Sequence, residues 1–271
     1  NLLPLSFLFL YFLAKQYKNM KNYLQRVKKW LLEEKYNGRM TSDYFKDLER
    51  LKRGEPLDYI IGFRNFLNCK IDLSLKPLIP REETEYWLEK VIIDIKNKYS
   101  GKKLKILDLF SGSGCIGIAI LKHLPNSIVV FGEKYPKFIK QIKINLKLNK
   151  IKPSRYKIIQ TDTYSNIKGK FDFIFANPPY LSKQRTSKIQ KSVLKYEPKI
   201  ALFAKNNGLY FIEKLIQQSK NFLKPKGEIY IEFDSWQKKK IEKILKANSF
   251  YNFQFFKDHF NRYRYLKLTL K

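Results

Sequence analysis

The stretch Ile106–Gly117, ILDLFSGSGCIG, runs from an apolar segment into a glycine-rich turn and decides the fold. Gly112, Gly114 and Gly117 satisfy the pattern G-x-G-x-x-G where a predicted strand ends and a predicted helix begins. Glycines at such a turn let the backbone reverse sharply and approach a ligand closely. The turn therefore indicates a site for a nucleoside cofactor, without saying which one.

Strands and helices alternate from this turn to the end of the chain. Alternation of this kind predicts an α/β fold, a mostly parallel, doubly wound sheet that binds ligands at the carboxyl ends of its strands. The predicted strands are Leu104–Leu109, Ile128–Phe131, Tyr156–Ile159, Phe171–Ala176, Glu228–Phe233, Asn252–Phe256 and Arg264–Leu270. The predicted helices are Gly114–His123, Pro136–Leu148, Gly208–Leu223 and Ser235–Ala247.

Three segments are predicted: a helical domain over residues 1–58, a β-hairpin linker over 59–80 and the cofactor-binding domain over 81–271. In the first segment, helices are predicted over Asn22–Tyr36 and from Thr41 or Ser42 to Gly54. The apolar stretch Asn1 to Ala14 is shorter than the roughly 20 residues that span a bilayer. A buried first helix is favoured over a signal segment, and no membrane partner is expected.

The composition excludes several classes of protein. The 271 residues include 55 Lys+Arg and 24 Asp+Glu, a formal net charge of +31, and 44% of them are apolar, so the chain can bury a large core. The basic residues form no single block, which favours a compositional bias over a dedicated nucleic-acid surface. A disulfide framework and a zinc site are not expected, because the relevant side chains are few and scattered. These are Cys69, Cys115, His123 and His259.

Acidic residues near the turn bear on which cofactor it binds. Glu133, at the end of the second predicted strand, offers two carboxylate oxygens side by side to the hydroxyls of a ribose. Asp108, just before the turn, would repel a pyrophosphate and attract the cationic methionine end of S-adenosylmethionine. Asp162, after the third strand, is placed to meet an adenine amino group or to cap its own loop. Of these residues, Asp108 slightly favours S-adenosylmethionine over a dinucleotide.

The fourth predicted strand ends in Asn177, Pro178, Pro179 and Tyr180, the sequence NPPY. The prolines stiffen the loop and leave carbonyl oxygens free as acceptors, while Asn177 adds a side-chain carbonyl. Two such acceptors can hold both hydrogens of a planar NH₂ group, and Tyr180 offers it a flat face. The motif therefore predicts methylation of an amide or exocyclic amine nitrogen, with positioning and electrostatics lowering the barrier.

Taken together, the motifs resemble those of the protein-(glutamine-N5) methyltransferases that modify peptide chain release factors. NPPY alone is shared with adenine-N6 methyltransferases, whereas the upstream and downstream segments are more specific. The segments that carry the resemblance are Arg53–Gly62, Leu78–Trp87 (LIPREETEYW), Asp108–Ile120, Phe175–Leu181, Tyr196–Leu209 (YEPKIALFAKNNGL) and the GEIYIEF segment that ends near Gln237.

The resemblance implies an N-terminal helical bundle that docks the release factor, a β-hairpin linker and a Rossmann-like class I methyltransferase domain with a seven-stranded, mostly parallel sheet. The substrate would be the glutamine of a Gly-Gly-Gln loop. Asn177 and the Pro178 carbonyl would hold its amide, with Pro179 stiffening the corner and Tyr180 packing beside it. The cofactor contacts would come from Asp108, Phe110, Ser111, Gly112, Ser113, Gly114, Glu133, Asp162, Thr163 and Asn177.

Several positions depart from the family pattern. Phe110 stands where the family has its first turn glycine, which predicts a negative φ there, and Thr163 stands where an aromatic residue often stacks on adenine. Glu133 replaces the usual aspartate. The DLFSGSG turn and Trp87 resemble the mitochondrial, fungal-type branch, so a mitochondrial location is expected, with the cytoplasm as the alternative.

Other functions remain open at this point. The NPPY motif and the charge of +31 fit an adenine-N6 methyltransferase of DNA or RNA, so nucleic-acid binding is possible but not required. The altered turn at Phe110 fits a non-catalytic binding protein. A nicotinamide-dependent oxidoreductase ranks last because NPPY has no part in hydride transfer. A monomer is expected.

Overall fold

The computed structural model describes residues 24–248 and 251–271. The chain divides between Ile61 and Gly62 into two compact units. The predicted helix over Asn1 to Ala14 and the start of the helix predicted from Asn22 lie outside the described residues.

The first unit is helical in its described part. Leu31, Tyr44 and Ile60 form its buried core. As predicted, Thr41 caps a helix, because its side chain accepts a hydrogen bond from the Tyr44 backbone N–H at 3.3 Å. The helices are α1 over residues 24–36, α2 over Ser42–Lys52 and α3 over Leu57–Ile61.

The second unit begins with the predicted β-hairpin. Strands β1 (Phe63–Phe66) and β2 (Cys69–Asp72) pair in antiparallel register. Leu67 and Asn68 form the two-residue turn with φ values of 43° and 59°. Two positive φ values match the right-handed twist of the flanking strands, which explains the tight connection.

The rest of the second unit is one seven-stranded sheet in the order β5-β4-β3-β6-β7-β9-β8. Strands β3 to β7 are parallel, and β9 runs antiparallel to both of its neighbours. The strands are β3 Leu104–Leu109, β4 Ser127–Glu133, β5 Tyr156–Gln160, β6 Phe171–Ala176, β7 Leu223–Glu232, β8 Tyr251–Lys257 and β9 Tyr263–Leu270. The helices are α4 Glu82–Lys98, α5 Cys115–His123, α6 Pro136–Leu148, α7 Lys191–Tyr196, α8 Lys199–Leu202, α9 Tyr210–Gln218 and α10 Lys238–Lys246.

The predicted strand bounds over Leu104–Leu109 and Phe171–Ala176 are confirmed to the residue. The helix predicted over Gly208–Leu223 is shorter in the structure, where α9 begins at Tyr210 and ends at Gln218. Gly208 has φ +82°, a left-handed conformation that cannot continue a right-handed helix. Leu223 already belongs to β7.

Candidate active site

The carboxyl ends of four neighbouring parallel strands surround one pocket. Glu133 is the last residue of β4, Phe110 follows β3, Thr161 follows β5 and Asn177 follows β6. The same edge of a parallel sheet is where α/β proteins bind their ligands. The pocket lining comprises Leu78, Phe110, Gly112, Gly132, Glu133, Lys134, Tyr135, Phe138, Thr161, Asp162, Thr163, Asn177, Pro179, Ile200, Ala201 and Phe211.

The glycine turn lies beneath this pocket and is shaped by local backbone geometry. Gly112 and Gly114 have φ values of +54° and +80°, and Gly114 precedes the first residue of α5. A Cβ on Gly117 would lie 2.3 Å from the Phe131 ring, so this glycine lets α5 pack closely on β4. The third glycine of the motif therefore serves helix packing rather than ligand approach.

The prediction of a negative φ at Phe110 is wrong, because the residue has φ 58°. The turn demands a left-handed residue at this position, and Phe110 adopts that conformation despite its Cβ. Its ring meets the Phe211 ring edge to face at 5.1 Å, and both line the pocket.

Glu133 is buried and organises the backbone around the pocket. Its Oε2 accepts a hydrogen bond from the Gly112 N–H at 2.9 Å, and its Oε1 accepts one from the Tyr135 N–H at 2.9 Å. Burial raises the pKa of this carboxyl, and the backbone donors act against that rise. Each carboxylate oxygen keeps a second lone pair, so the group can still accept hydrogen bonds from ribose hydroxyls.

Asp108 is fully buried next to the turn and does not line the pocket. Its Oδ2 accepts a hydrogen bond from the Gly117 N–H at 3.0 Å, whereas no described residue is bonded to its Oδ1. Burial raises the pKa of this carboxyl to about 8. When ionised, this carboxyl has its unpartnered Oδ1 available to attract a cationic group, as the sequence predicts for the methionine end of the cofactor.

The remaining turn residues support the loop from below. The Ser111 hydroxyl donates to the Asp108 carbonyl at 2.7 Å, and the Ser113 carbonyl accepts from Asn145 Nδ2 of α6 at 2.9 Å. Ser111, Ser113 and Gly114, like Asp108, are absent from the pocket lining. The structure thus separates residues that face the pocket from residues that hold the turn.

Asp162 and Thr163 lie at the pocket wall as predicted. The Lys134 ammonium donates to Asp162 Oδ2 at 2.7 Å and is the main cause of the lowered pKa of that carboxyl. Lys214 lies 3.8 Å from its other oxygen. Thr163 has φ 59°, and its hydroxyl donates to Asp162 at 3.2 Å. The Asp162 carboxylate is therefore already paired with lysine side chains and is not a free acceptor for an adenine amino group.

The NPPY corner separates this pocket from a second cleft of about 510 Å³. Pro179 faces the first cavity, Pro178 and Tyr180 face the second, and Asn177 lines both. Asn177 therefore lies at the boundary between the two cavities.

A buried hydrogen-bond network lies behind the corner. Asn177 Nδ2 donates to the Thr84 hydroxyl at 3.3 Å, and that hydroxyl donates to Glu232 Oε2 at 2.6 Å. The Trp87 indole N–H donates to the same oxygen at 2.8 Å, and the Tyr180 hydroxyl donates to Oε1 at 2.9 Å. Burial and the adjacent Glu232 raise the pKa of Tyr180 well above its ordinary value, so the phenol keeps its proton.

Known proteins with a similar sequence or fold are methyltransferases. Residues 91–200 match the Methyltransferase small domain family. The release factor glutamine methyltransferase of Francisella tularensis is 40% identical over 222 residues, which are 82% of this chain and 76% of that protein. The protein of the same name from Flavobacterium psychrophilum is 33% identical over 227 residues, 83% of this chain and 79% of that one. The chain belongs to the release factor glutamine methyltransferase family.

A solved structure supports the class I methyltransferase fold of this release factor glutamine methyltransferase. The ribosomal protein L11 methylase from Lactobacillus delbrueckii has a TM-score of 0.52 at 22% identity, covering 73% of this chain and 83% of that one. The Rossmann-like, seven-stranded sheet predicted from the sequence is confirmed. S-adenosylmethionine is the methyl donor of this class.

Sequence reasoning assigned no role to several residues that shape the site of this methyltransferase. Thr84 and Glu232 lie behind Asn177, and Arg81 donates to buried Glu197 at 2.6 Å. Gln237 Nε2 donates to the Tyr180 carbonyl at 3.0 Å and to the Asn207 carbonyl at 3.1 Å. All of these residues lie in segments that carry the family resemblance. That resemblance is the sequence signal that could have identified them. Their partners are far away in sequence, so the roles emerge only from the fold.

Within residues 24–248 and 251–271, no helix is long and apolar enough to cross a membrane. In the same part of the chain, no group of three or more His, Cys, Asp or Glu side chains could hold a metal ion.

Proposed function

We propose that this protein transfers a methyl group from S-adenosylmethionine to the side-chain nitrogen of the glutamine in the Gly-Gly-Gln motif of a peptide chain release factor. The observation that carries the proposal is the position of Asn177, which lines both the cofactor pocket and the adjoining cleft. The relatives from Francisella tularensis and Flavobacterium psychrophilum are both named release factor glutamine methyltransferase. The match to this chain covers 76% and 79% of their lengths.

The acceptors of the corner suit a carboxamide. The Asn177 NH₂ group is directed at Thr84, which leaves its Oδ1 for a substrate N–H. No described residue donates a hydrogen bond to the Pro178 carbonyl, which lines the cleft. Two acceptors can hold both hydrogens of the glutamine NH₂ and direct its lone pair toward the cofactor pocket. Because an amide nitrogen is a weak nucleophile, this positioning is the main contribution of the protein.

The pocket residues suit the cofactor. Glu133 would accept the ribose hydroxyls, and the unpartnered Asp108 Oδ1 would face the cationic amino group. Aromatic side chains of Phe110, Tyr135 and Phe138 line the pocket and can cover the adenosine. When bound, S-adenosylmethionine supplies a methyl group activated by its sulfonium.

The test is a labelling experiment with S-adenosylmethionine that carries a labelled methyl group. We expect one methyl on the glutamine of a release factor and none on a variant in which that glutamine is replaced by alanine. Label that persists on the alanine variant would contradict the proposal. Label on DNA or RNA with an inert release factor would instead support adenine-N6 methylation, the alternative that the charge of +31 leaves open.

The compartment and the oligomeric state form a separate part of the proposal. The DLFSGSG turn and Trp87 support a mitochondrial location, and the two cavities of a single chain support a monomer. Cell fractionation and light scattering test these two statements. Enrichment in the cytosol or a mass twice that of the chain would overturn them.

A further inference from the structure

We propose that Thr84 and Glu232 are positioning residues that fix which way round the Asn177 amide lies. The inference rests on the proposed function, because it explains how Asn177 presents an acceptor to the glutamine. It concerns three side chains that come from α4, the end of β7 and the loop after β6.

Glu232 is the fixed end of the chain of hydrogen bonds. Its side chain is buried and accepts three hydrogen bonds, from Thr84, Trp87 and Tyr180. An indole N–H only donates, so Glu232 Oε2 is an acceptor toward Trp87, and the Thr84 and Tyr180 hydroxyls donate to the same side chain. Thr84 and Trp87 are three residues apart on α4 and therefore lie on the same face of the helix.

Thr84 passes this direction on to Asn177. Its hydroxyl has a single hydrogen, which is used in the 2.6 Å bond to Glu232. Toward Asn177 the hydroxyl oxygen can only accept, so the Asn177 atom that faces it at 3.3 Å must be the NH₂ group. The opposite side of the amide, Oδ1, is then the atom available to the substrate.

Without this constraint the amide could rotate and turn its NH₂ toward the substrate NH₂. Two donors would then face each other, and the glutamine nitrogen would lose one of the contacts that direct its lone pair. Thr84 is 2% exposed and does not line either cavity, so it reaches the substrate only through the side chains it bonds. These are Asn177 and Glu232, both of which line the cleft, and the effect is assigned to Asn177.

The first test compares Thr84→Val, which is nearly isosteric but lacks the hydroxyl, with Thr84→Ser, which keeps it. We expect Thr84→Val to lower kcat for release factor methylation about tenfold, the scale of a small misplacement of a reacting group. The dissociation constant for S-adenosylmethionine should stay unchanged, and Thr84→Ser should restore most of the turnover. Equal turnover in wild type and Thr84→Val would overturn the inference.

A double-mutant cycle separates positioning from a general structural effect. If Thr84 acts through Asn177, Thr84→Val should have little further effect on kcat in an Asn177→Ala background. An effect of the same size in both backgrounds would mean that Thr84 acts independently of Asn177 and would overturn the inference.

Glu232→Gln distinguishes positioning from acid–base chemistry. The Trp87 indole can only donate, so the glutamine must keep its oxygen toward Trp87 and Thr84 and its NH₂ toward Tyr180. The direction of the Thr84 hydroxyl then survives, and Glu232→Gln should lower kcat less than Thr84→Val. A larger loss in Glu232→Gln would contradict the positioning role.

A final measurement does not depend on turnover. The side-chain NH₂ resonances of Asn177 in ¹⁵N-labelled protein report its hydrogen bond to Thr84. We expect them to shift in Thr84→Val and to stay near the wild-type position in Thr84→Ser. Resonances that do not move in Thr84→Val would overturn the inference, whereas a wild-type protein that leaves the release factor unmethylated would overturn the proposed function alone.

Discussion

At Asn177, the proposed mechanism has the protein and the substrate use opposite sides of one amide group, of which the NH₂ side is bonded to Thr84. Replacing it by alanine removes the acceptor that lines both cavities. We expect Asn177→Ala to lower kcat by about 10²-fold, as for the loss of one preorganised polar contact in an active site. Single-turnover labelling of a release factor measures this loss, and calorimetry should show little change in cofactor affinity. Near-normal turnover would refute the role of Asn177.

Phe110 has a left-handed backbone conformation, with φ 58°. This conformation is strained for phenylalanine and for alanine but not for glycine. Phe110→Gly and Phe110→Ala both remove the ring contact with Phe211. Only the alanine variant keeps the left-handed strain, so Phe110→Gly should be more stable by about 1 kcal/mol. Urea unfolding of the two variants measures this difference. Greater stability of the alanine variant would contradict the strain at Phe110.

Asp108 makes the stability of the protein depend on pH. Its pKa rises from 3.8 to about 8 on folding, so between these values the unfolded chain releases a proton that the native state keeps. The contribution of Asp108 to the free energy of unfolding is therefore most favourable at low pH. This contribution decreases as the pH rises toward about 8. Asp108→Asn, which has no such titration, should gain stability relative to wild type between pH 5 and pH 8.

Denaturant unfolding at both pH values tests this expectation for Asp108. The wild-type protein is the matched control, because the buried Glu133 and all other titrating groups are common to both proteins. A difference in unfolding free energy between Asp108→Asn and the wild type that does not grow with pH would contradict this expectation. Above about pH 8, where Asp108 is ionised, cofactor binding should weaken in Asp108→Asn, since the carboxylate that attracts a cation is gone.

The loop before α9 packs closely against the NPPY corner at Gly208. A Cβ on Gly208 would lie 2.0 Å from the Tyr180 carbonyl oxygen and 2.7 Å from Gln237 Nε2. Gly208→Ala must therefore displace the corner, and we expect a loss of turnover of at least about tenfold. The assay is release factor methylation under saturating cofactor.

Gly54 provides a matched control for this substitution. It has the same φ, +82°, and nothing lies within 4 Å of a Cβ built on it. Gly54→Ala should cost about 1 kcal/mol of stability from the left-handed strain and leave turnover unchanged. Equal turnover in Gly208→Ala and Gly54→Ala would mean that contact with the corner has no influence on catalysis.

For the whole molecule, the helical unit is predicted to dock the release factor. Trp30 and Phe45 in this unit are 59% and 54% exposed and are therefore accessible to a partner protein. Replacing both by alanine should raise KM for a full-length release factor several-fold and leave cofactor affinity unchanged.

The control for the docking prediction is Phe260, which is 55% exposed and lies in the second unit. Phe260→Ala should leave KM for the release factor unchanged. A short Gly-Gly-Gln peptide should be methylated equally by all variants. An unchanged KM for the full-length release factor in the Trp30 and Phe45 double variant would contradict docking through these two side chains.

The sequence by itself determined the sheet, the glycine turn and the NPPY corner. These features depend on local patterns: apolar runs specify buried strands, and glycine and proline restrict the backbone where they stand. Strand bounds at Leu104–Leu109 and Phe171–Ala176 and the capping by Thr41 could therefore be predicted. Family motifs pointed to the pocket residues Glu133 and Asn177 in the same way.

Only the tertiary structure decided how these parts act together. Thr84 and Glu232 are 148 residues apart, and Asn177 is 93 residues from Thr84, so no local pattern could reveal their hydrogen bonds. The left-handed φ of Phe110 and the burial of Asp108 likewise follow from neighbours that the sheet supplies. Burial and hydrogen-bond direction are properties of the surroundings of a side chain, and those surroundings exist only after distant segments have packed together.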